Sequence, residues 1–227
     1  MGLRFASGEF YHIYNRGVEK REIFNATGDY ERFLAGLIVF NGDSNIQIRD
    51  VFKRGKNNSI TEIVSQGESL VSIVSYVLMK NHIHLLLKCK NGTGMSDFLR
   101  KLLIGYTMYF NTKYKHSGVL FQGRTKAKHV NKDIYLNHLV DYIHLNPLDY
   151  SFPEWRKGNI GNIPEIKNEI KKYPWSSMGG ILREKEDPIL DIDVINELFP
   201  EPKNILSSML DWSSSNFELA KELIIEN

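Results

Sequence analysis

Residues 70–89 read LVSIVSYVLMKNHIHLLLKC, and no other stretch constrains the fold as strongly. Two apolar runs, 70–79 and 82–89, flank the pair Lys80–Asn81, too short for anything but a tight connection. Each run has strand length and β-branched content, so the segment predicts an antiparallel hairpin. His82 and His84 interrupt the second run. On a strand they project from one face, about 6–7 Å apart along the chain, with Ile83 on the other.

Around the hairpin, hydrophobic spacing gives the remaining elements. EFYHIYNRG (9–17) alternates and ends at a turn glycine, as a strand does. Residues 25–41 carry Phe33, Leu34, Leu37 and Phe40 at helical spacing, with Thr27 as the expected N-cap. Residues 94–118 form a long amphipathic helix with Ser96 as N-cap and Gly118 past its end. VLFQGRTKAKHV (119–130) reads as a strand with Arg124, Lys126 and Lys128 on one face. Residues 131–148 read as a helix running to about Leu145, with Pro147 ending it. KKYPWSSMGG (171–180) closes the body as a loop, and DVINELF and FELAKELI are helical patches of the tail. The order predicts an α+β fold: a ferredoxin-like βαββαβ core, with an antiparallel sheet, helices on one face and extra C-terminal helices.

Two domains are expected, a body over 1–180 and an acidic, partly helical extension over 181–227. A polar insertion at about 42–69 sits inside the first. The body carries a net charge of +9 and the extension −7, within a total of +2. A basic body suggests a polyanionic partner, and an acidic tail kept for solubility alone is the plainer reading. With 42% hydrophobic and 25% charged residues the chain is globular. It has no run of about 18 apolar residues and no signal-peptide layout, so neither membrane nor secretion is expected. The lone Cys89 suits a reducing, cytoplasmic setting.

Two imidazoles on one strand face can share a divalent cation, or can be two polar residues of a half-exposed strand. Tyr142 and Asn146, in DYIHLNP, lie one turn apart on one helix face. A carboxamide oxygen beside two imidazoles suits Mg²⁺ or Mn²⁺, and a tyrosine beside the cation can attack phosphorus. The alternative is that Tyr142 packs on the sheet and Asn146 caps the helix end.

Five segments in order carry a resemblance: FYHIYNRG, YVLMKNHIHLLLK, LFQGRTKAKHV, YLNHLVDYIHLNPL and YPWSS. Over roughly residues 8–180 the chain resembles the HUH single-tyrosine transposases, in particular the REP-associated tyrosine transposase branch. The resemblance implies an enzyme that cuts and rejoins single-stranded DNA beside hairpins. Tyr142 would be the nucleophile, forming a 5′-phosphotyrosine. His82, His84 and Asn146 would bind Mg²⁺ or Mn²⁺, with Asn146 standing where some relatives have glutamine. Relatives outside the branch act as dimers that exchange the tyrosine helix, so a homodimer is one assembly it allows.

Arg16, Lys20, Arg21, Arg124, Lys126 and Lys128 are the expected phosphate contacts, and Tyr11, Tyr14 and Tyr106 the expected stacking platforms. For His12 a structural hydrogen bond is expected. Three other readings stand beside the transferase: a hairpin-binding protein of the same fold that has lost its chemistry, a water-using metal nuclease, and an RNA-binding module on a ferredoxin-like sheet.

Overall fold

A computed structural model describes residues 4–42, 48, 68–130, 133–157, 159 and 161–215. The body contains β1 (Phe10–Arg16), α1 (Thr27–Val39), β2 (Val71–Met79), β3 (His82–Cys89), α2 (Gly92–Tyr114), β4 (Lys126–Val130) and α3 (Asp133–Leu145). The four strands form one antiparallel sheet in the order β2-β3-β1-β4. This is the split βαβ order expected of a ferredoxin-like core.

Helices cover both faces. Ile13, Ile83, Leu85 and Leu87 pack with Phe33 and Leu37 of α1 and with Phe98, Leu102 and Tyr106 of α2. The opposite face, with Val74, Val77, Met79 and Leu86, packs with Leu139, Tyr142 and Ile143 of α3. The additional helix thus covers the face that α1 and α2 leave open. The β2–β3 pairing has a register shift between Ile73 and Ser75. The bulge changes the phase of alternation, so Ile73 and Tyr76 face one core while Val74 and Val77 face the other.

Beyond α3 the chain continues as a 3₁₀ turn (Asn146–Asp149), a second 3₁₀ turn (Pro153–Lys157), α4 (Ile163–Lys172), α5 (Met178–Ile181), α6 (Ile192–Leu198) and α7 (Pro202–Ser215). Ile195, Leu206 and Met209 of the last two helices join the α3 core. The expected helices do not include α4 and α7, although Ile163, Ile166 and Ile170 of the first and Ile205, Leu206, Met209 and Leu210 of the second fall at helical spacing. The FELAKELI patch lies outside the described residues, as does most of the 42–69 insertion.

Three local expectations are corrected. Helix α1 starts at Thr27, with Ala26 as its N-cap, and the Asp29 carboxylate accepts hydrogen bonds from the Asn25 and Ala26 amides. Helix α2 is capped by Asn91, whose side chain accepts from the Thr93 and Gly94 amides, and it ends at Lys115 in the left-handed region. Ser96 instead bonds back to the Gly92 carbonyl within the first turn. The last strand covers only 126–130, so Arg124 lies in the preceding loop, where Phe121 bridges Gly17. Gly17 is required for its smallness: a Cβ there would stand 2.2 Å from the Arg21 carbonyl oxygen.

The YPWSS segment closes the exposed edge of β2. Leu78 donates its amide to the Trp175 carbonyl, and Ser177 donates its own to Tyr76. Covering the edge removes a template for strand pairing with other chains. Among the described residues no helix is long and apolar enough to cross a membrane.

Asp29 is the polar hub of the α1–α2 contact. It is fully buried, and its oxygens accept from Lys113 Nζ at 2.5 Å, Tyr114 Oη at 2.6 Å and Tyr109 Oη at 2.9 Å. Burial works to raise its pKa, but these donors outweigh it and hold the carboxyl below its ordinary value. A depressed carboxylate pKa stabilises the fold above the unfolded value near 4 and loses that contribution as pH falls through the folded value. Asp29→Ala should cost about 3 kcal/mol in urea unfolding, because it strands Lys113 and two phenols. The variant should also show a flatter loss of stability below about pH 4 than the wild type.

Candidate functional site

The strand register assembles the site. In the β1–β3 pair, Tyr14 stands opposite His84, His12 opposite Leu86 and Arg16 opposite His82. All even-numbered residues of both strands therefore project toward α3. His12 and His84 share a hydrogen bond of 2.9 Å, Nε2 to Nδ1, and their rings stack at 5.1 Å. The His82 ring stands edge-on to His84 at 5.1 Å, and its Nδ1 bonds the Asn81 side-chain oxygen at 2.7 Å. His12, His82 and His84 are all buried. The sequence did not single out His12 as a site residue. The cue was its even spacing with Tyr14 and Arg16, which becomes informative only once the partner strand is known.

Helix α3 brings Tyr142 onto this cluster. Its ring meets His84 edge-on at 5.5 Å and His12 at 6.4 Å. Tyr142 is 0% exposed, enclosed by the sheet on one side and Trp155 on the other. The expected one-turn partner, Asn146, is also fully buried and opens the 3₁₀ turn after α3. Its Nδ2 donates to the Tyr142 carbonyl at 2.7 Å, and its Oδ1 accepts from Arg156 at 3.1 Å. The strand histidines and the tyrosine are thus brought together, while the Asn146 oxygen faces a guanidinium.

A small cleft of about 30 Å³ opens over the histidines, lined by Tyr14, Asn15, Arg16, His82, His84, Gln122 and Lys126. Two expected cations therefore stand at its mouth. Arg16 donates to Gln122 at 3.5 Å, and the Lys126 ammonium lies 5.5 Å from the Tyr14 ring centre. Lys128 sits on the same strand face, opposite His12. Lys20 is exposed on a 3₁₀ turn (Val18–Lys20) after β1, and Arg21 is turned onto His116. Arg124 lines a separate groove beside α2. Of the expected stacking residues, Tyr11 and Tyr106 are core, and only Tyr14 reaches the cleft.

Among the described residues no group of three or more His, Cys, Asp or Glu is arranged to hold a metal ion. The donors present are imidazoles, with the Asn81 side-chain oxygen 2.7 Å from His82 Nδ1. The pair His82 and His84 fits a cation that completes its shell with water or phosphate oxygen. The Asn146 oxygen, the expected third ligand, instead accepts from Arg156.

His144, on the far side of α3, has a structural role. Its ring is fully buried, with Nδ1 donating to the Val140 carbonyl at 2.8 Å and Nε2 meeting Ser177 Oγ at 2.9 Å. Burial pushes its pKa down to about 4, so the neutral ring is the folded form at neutral pH. Ser177 Oγ also accepts the Tyr76 amide at 2.9 Å, tying α3 to β2.

The family model of IS200-like transposases matches residues 37–146, a stretch that contains His82, His84, Tyr142 and Asn146 and leaves His12 and Arg156 outside. A solved structure of a REP-associated tyrosine transposase bound to a REP hairpin is similar at 13% identity and a TM-score of 0.48, over 83% of this chain and 88% of that one. No curated protein matches the chain.

Ser177→Ala removes the acceptor of a buried amide and the partner of His144, so thermal or urea unfolding should show a loss of about 1–3 kcal/mol. The cleft should keep its shape in this variant, since Ser177 touches none of the cleft residues.

Proposed function

We propose, from the premise that the chain belongs through residues 37–146 to the IS200-like transposase family, that it is a strand transferase for single-stranded DNA with Tyr142 as nucleophile. The observation that carries the reading is the packing of Tyr142 edge-on to His84, within a buried cluster of three histidines beside a cleft flanked by cations. Tyrosine is a poor nucleophile near neutral pH, since a free phenol ionises near ~10. It needs a neighbour that takes its proton and a positive group that favours the phosphoryl transfer.

In the proposed reaction Tyr142 Oη forms a bond to the scissile phosphorus, and the bond from phosphorus to the 3′ oxygen breaks. The phenol proton ends, in net terms, on the departing 3′ oxygen. The 5′ fragment end stays on the enzyme as a phosphotyrosine, and attack by another 3′-hydroxyl reverses the step and joins DNA. The ester energy is kept, so no nucleotide cofactor is needed. His12, hydrogen-bonded to His84 Nδ1, would fix the orientation of that ring toward the cation. Arg16, Lys126 and Lys128 hold the flanking phosphates. His82 and His84 would hold Mg²⁺ or Mn²⁺, which supplies Lewis-acid polarisation of the phosphoryl oxygen when bound.

One observation favours a second reading, a hairpin-binding protein that no longer cuts: Tyr142 is wholly buried. For attack, the side-chain packing over the phenol has to loosen far enough for a phosphate to reach it.

The test is covalent capture with 3′-labelled, hairpin-forming single-stranded oligonucleotides in Mn²⁺. The wild type should give a labelled protein band that survives denaturation, and Tyr142→Phe should give none. His82→Ala should reduce adduct formation by at least about 100-fold, the scale of losing a metal's contribution to phosphoryl transfer. It should also weaken Mn²⁺ binding, measured calorimetrically without DNA, by about 10-fold or more. Hairpin binding with no adduct under any of these conditions would establish the second reading instead.

A further inference from the structure

Arg156 lies outside the matched family segment, yet its guanidinium stands against the ring of the proposed nucleophile. Its guanidinium carbon stands 5.8 Å from the Tyr142 ring centre and 4.9 Å from that of Trp155. A guanidinium has five N–H donors in a rigid fork. Three are engaged: Nε donates to Asp149 Oδ1 at 2.7 Å, and Nη2 donates to Asp149 Oδ2 at 2.6 Å and to Asn146 Oδ1 at 3.1 Å. The remaining amine, Nη1, is buried and has no hydrogen-bond partner among the described residues.

The placement is rigidly held. Trp155 Nε1 donates to the same Asp149 oxygen at 2.7 Å, so the carboxylate is fixed by three donors. Trp155 is itself 2% exposed and anchors the turn in the α3 core. The Arg156 side chain keeps 22% exposure, so it is open to solvent on one side. A purely structural ion pair has no need of a buried, unsatisfied Nη1, which costs free energy until an acceptor arrives. Burial disfavours the cation, but the hydrogen bonds to Asp149 hold its pKa above the ordinary arginine value.

From this geometry we infer that Arg156 is a further catalytic residue, whose Nη1 amine binds a non-bridging oxygen of the scissile phosphate as Tyr142 attacks. The inference rests on the proposed transferase reading. A phosphorus within bonding approach of Tyr142 Oη, about 3–3.5 Å, brings its oxygens toward the guanidinium, whose carbon stands 5.8 Å from that ring's centre. The charge that grows on those oxygens then meets a donor already aimed and desolvated. Asp149 is a positioning residue: it holds Nε and Nη2 and leaves Nη1 for substrate. Lysine cannot substitute, because one ammonium does not span the carboxylate and the phosphate.

The test follows single-turnover adduct formation in Mn²⁺, using oligonucleotides with one phosphorothioate of known stereochemistry at the scissile position. Arg156→Gln should slow adduct formation on the normal phosphate by about 100- to 1000-fold, the cost of losing one such donor. Affinity for an uncut oligonucleotide should change by less than about 10-fold, since only one phosphate contact is lost. The wild type should discriminate between the two phosphorothioate diastereomers, and Arg156→Gln should lose that discrimination. Arg156→Lys should stay close to Arg156→Gln in rate and in stereochemical behaviour, and it decides the matter if the glutamine variant does not fold. A folded variant that reacts at the wild-type rate, or that is slow but keeps the wild-type diastereomer preference, would overturn the assignment and leave Arg156 a structural residue. A wild type that gives no adduct at all sinks the transferase reading, and this role with it.

Discussion

The pairing register between β1 and β3 is the constraint on which the site depends. With Tyr14 opposite His84, three histidines and an aromatic ring share one sheet face beneath α3. Side chains alternate with a period of two, so a slip of one residue would move His82 and His84 into the α1–α2 core and send Ile83 and Leu85 to the cleft. Both errors are costly, since they bury unpaired imidazoles and expose aliphatic surface. The aliphatic residues of β3 thus hold the histidines in place without touching any reacting group. Covering both faces with helices explains why β2 and β3 are almost continuously apolar.

Burial also shapes the chemistry. Tyr142 lies among histidine rings, Trp155 and a guanidinium, where an electrostatic contact is worth more than in water. The same enclosure separates the phenol from solvent, so binding of DNA and loosening of the side chains over the phenol are coupled events in the proposed cycle. Asn146 belongs to that enclosure: its amide ties back to the Tyr142 carbonyl, and its oxygen is held by Arg156.

Much of this was legible in the sequence. The hairpin at 71–89, the α3 helix and the βαββαβ order follow from period-two and period-3.6 spacing, which are local properties. His82 and His84 stood out because they interrupt a strong apolar run, and Tyr142 because it lies one helical turn from Asn146. Boundaries were less legible. Asn91, not Ser96, caps α2, because either residue type can cap and the choice depends on where the strand before it releases the chain. Residues 119–125 alternate like a strand but lack a partner along most of their length, so the strand begins only at Lys126. Tyr11 and Tyr106 could not be separated from Tyr14 by residue type, since all are aromatic and only packing tells a core ring from a cleft ring.

The sequence by itself determined the order of the body's elements and the residue types able to bind metal or attack phosphorus, because each is written in spacing along one chain. Tertiary structure alone decided which of those residues meet. His12 and His84 are 72 positions apart, and Asp149, Arg156 and Tyr142 come from a helix and two short turns with no shared period. Contacts between elements depend on strand register and on how turns pack, and neither leaves a periodic mark in the residues that finally touch.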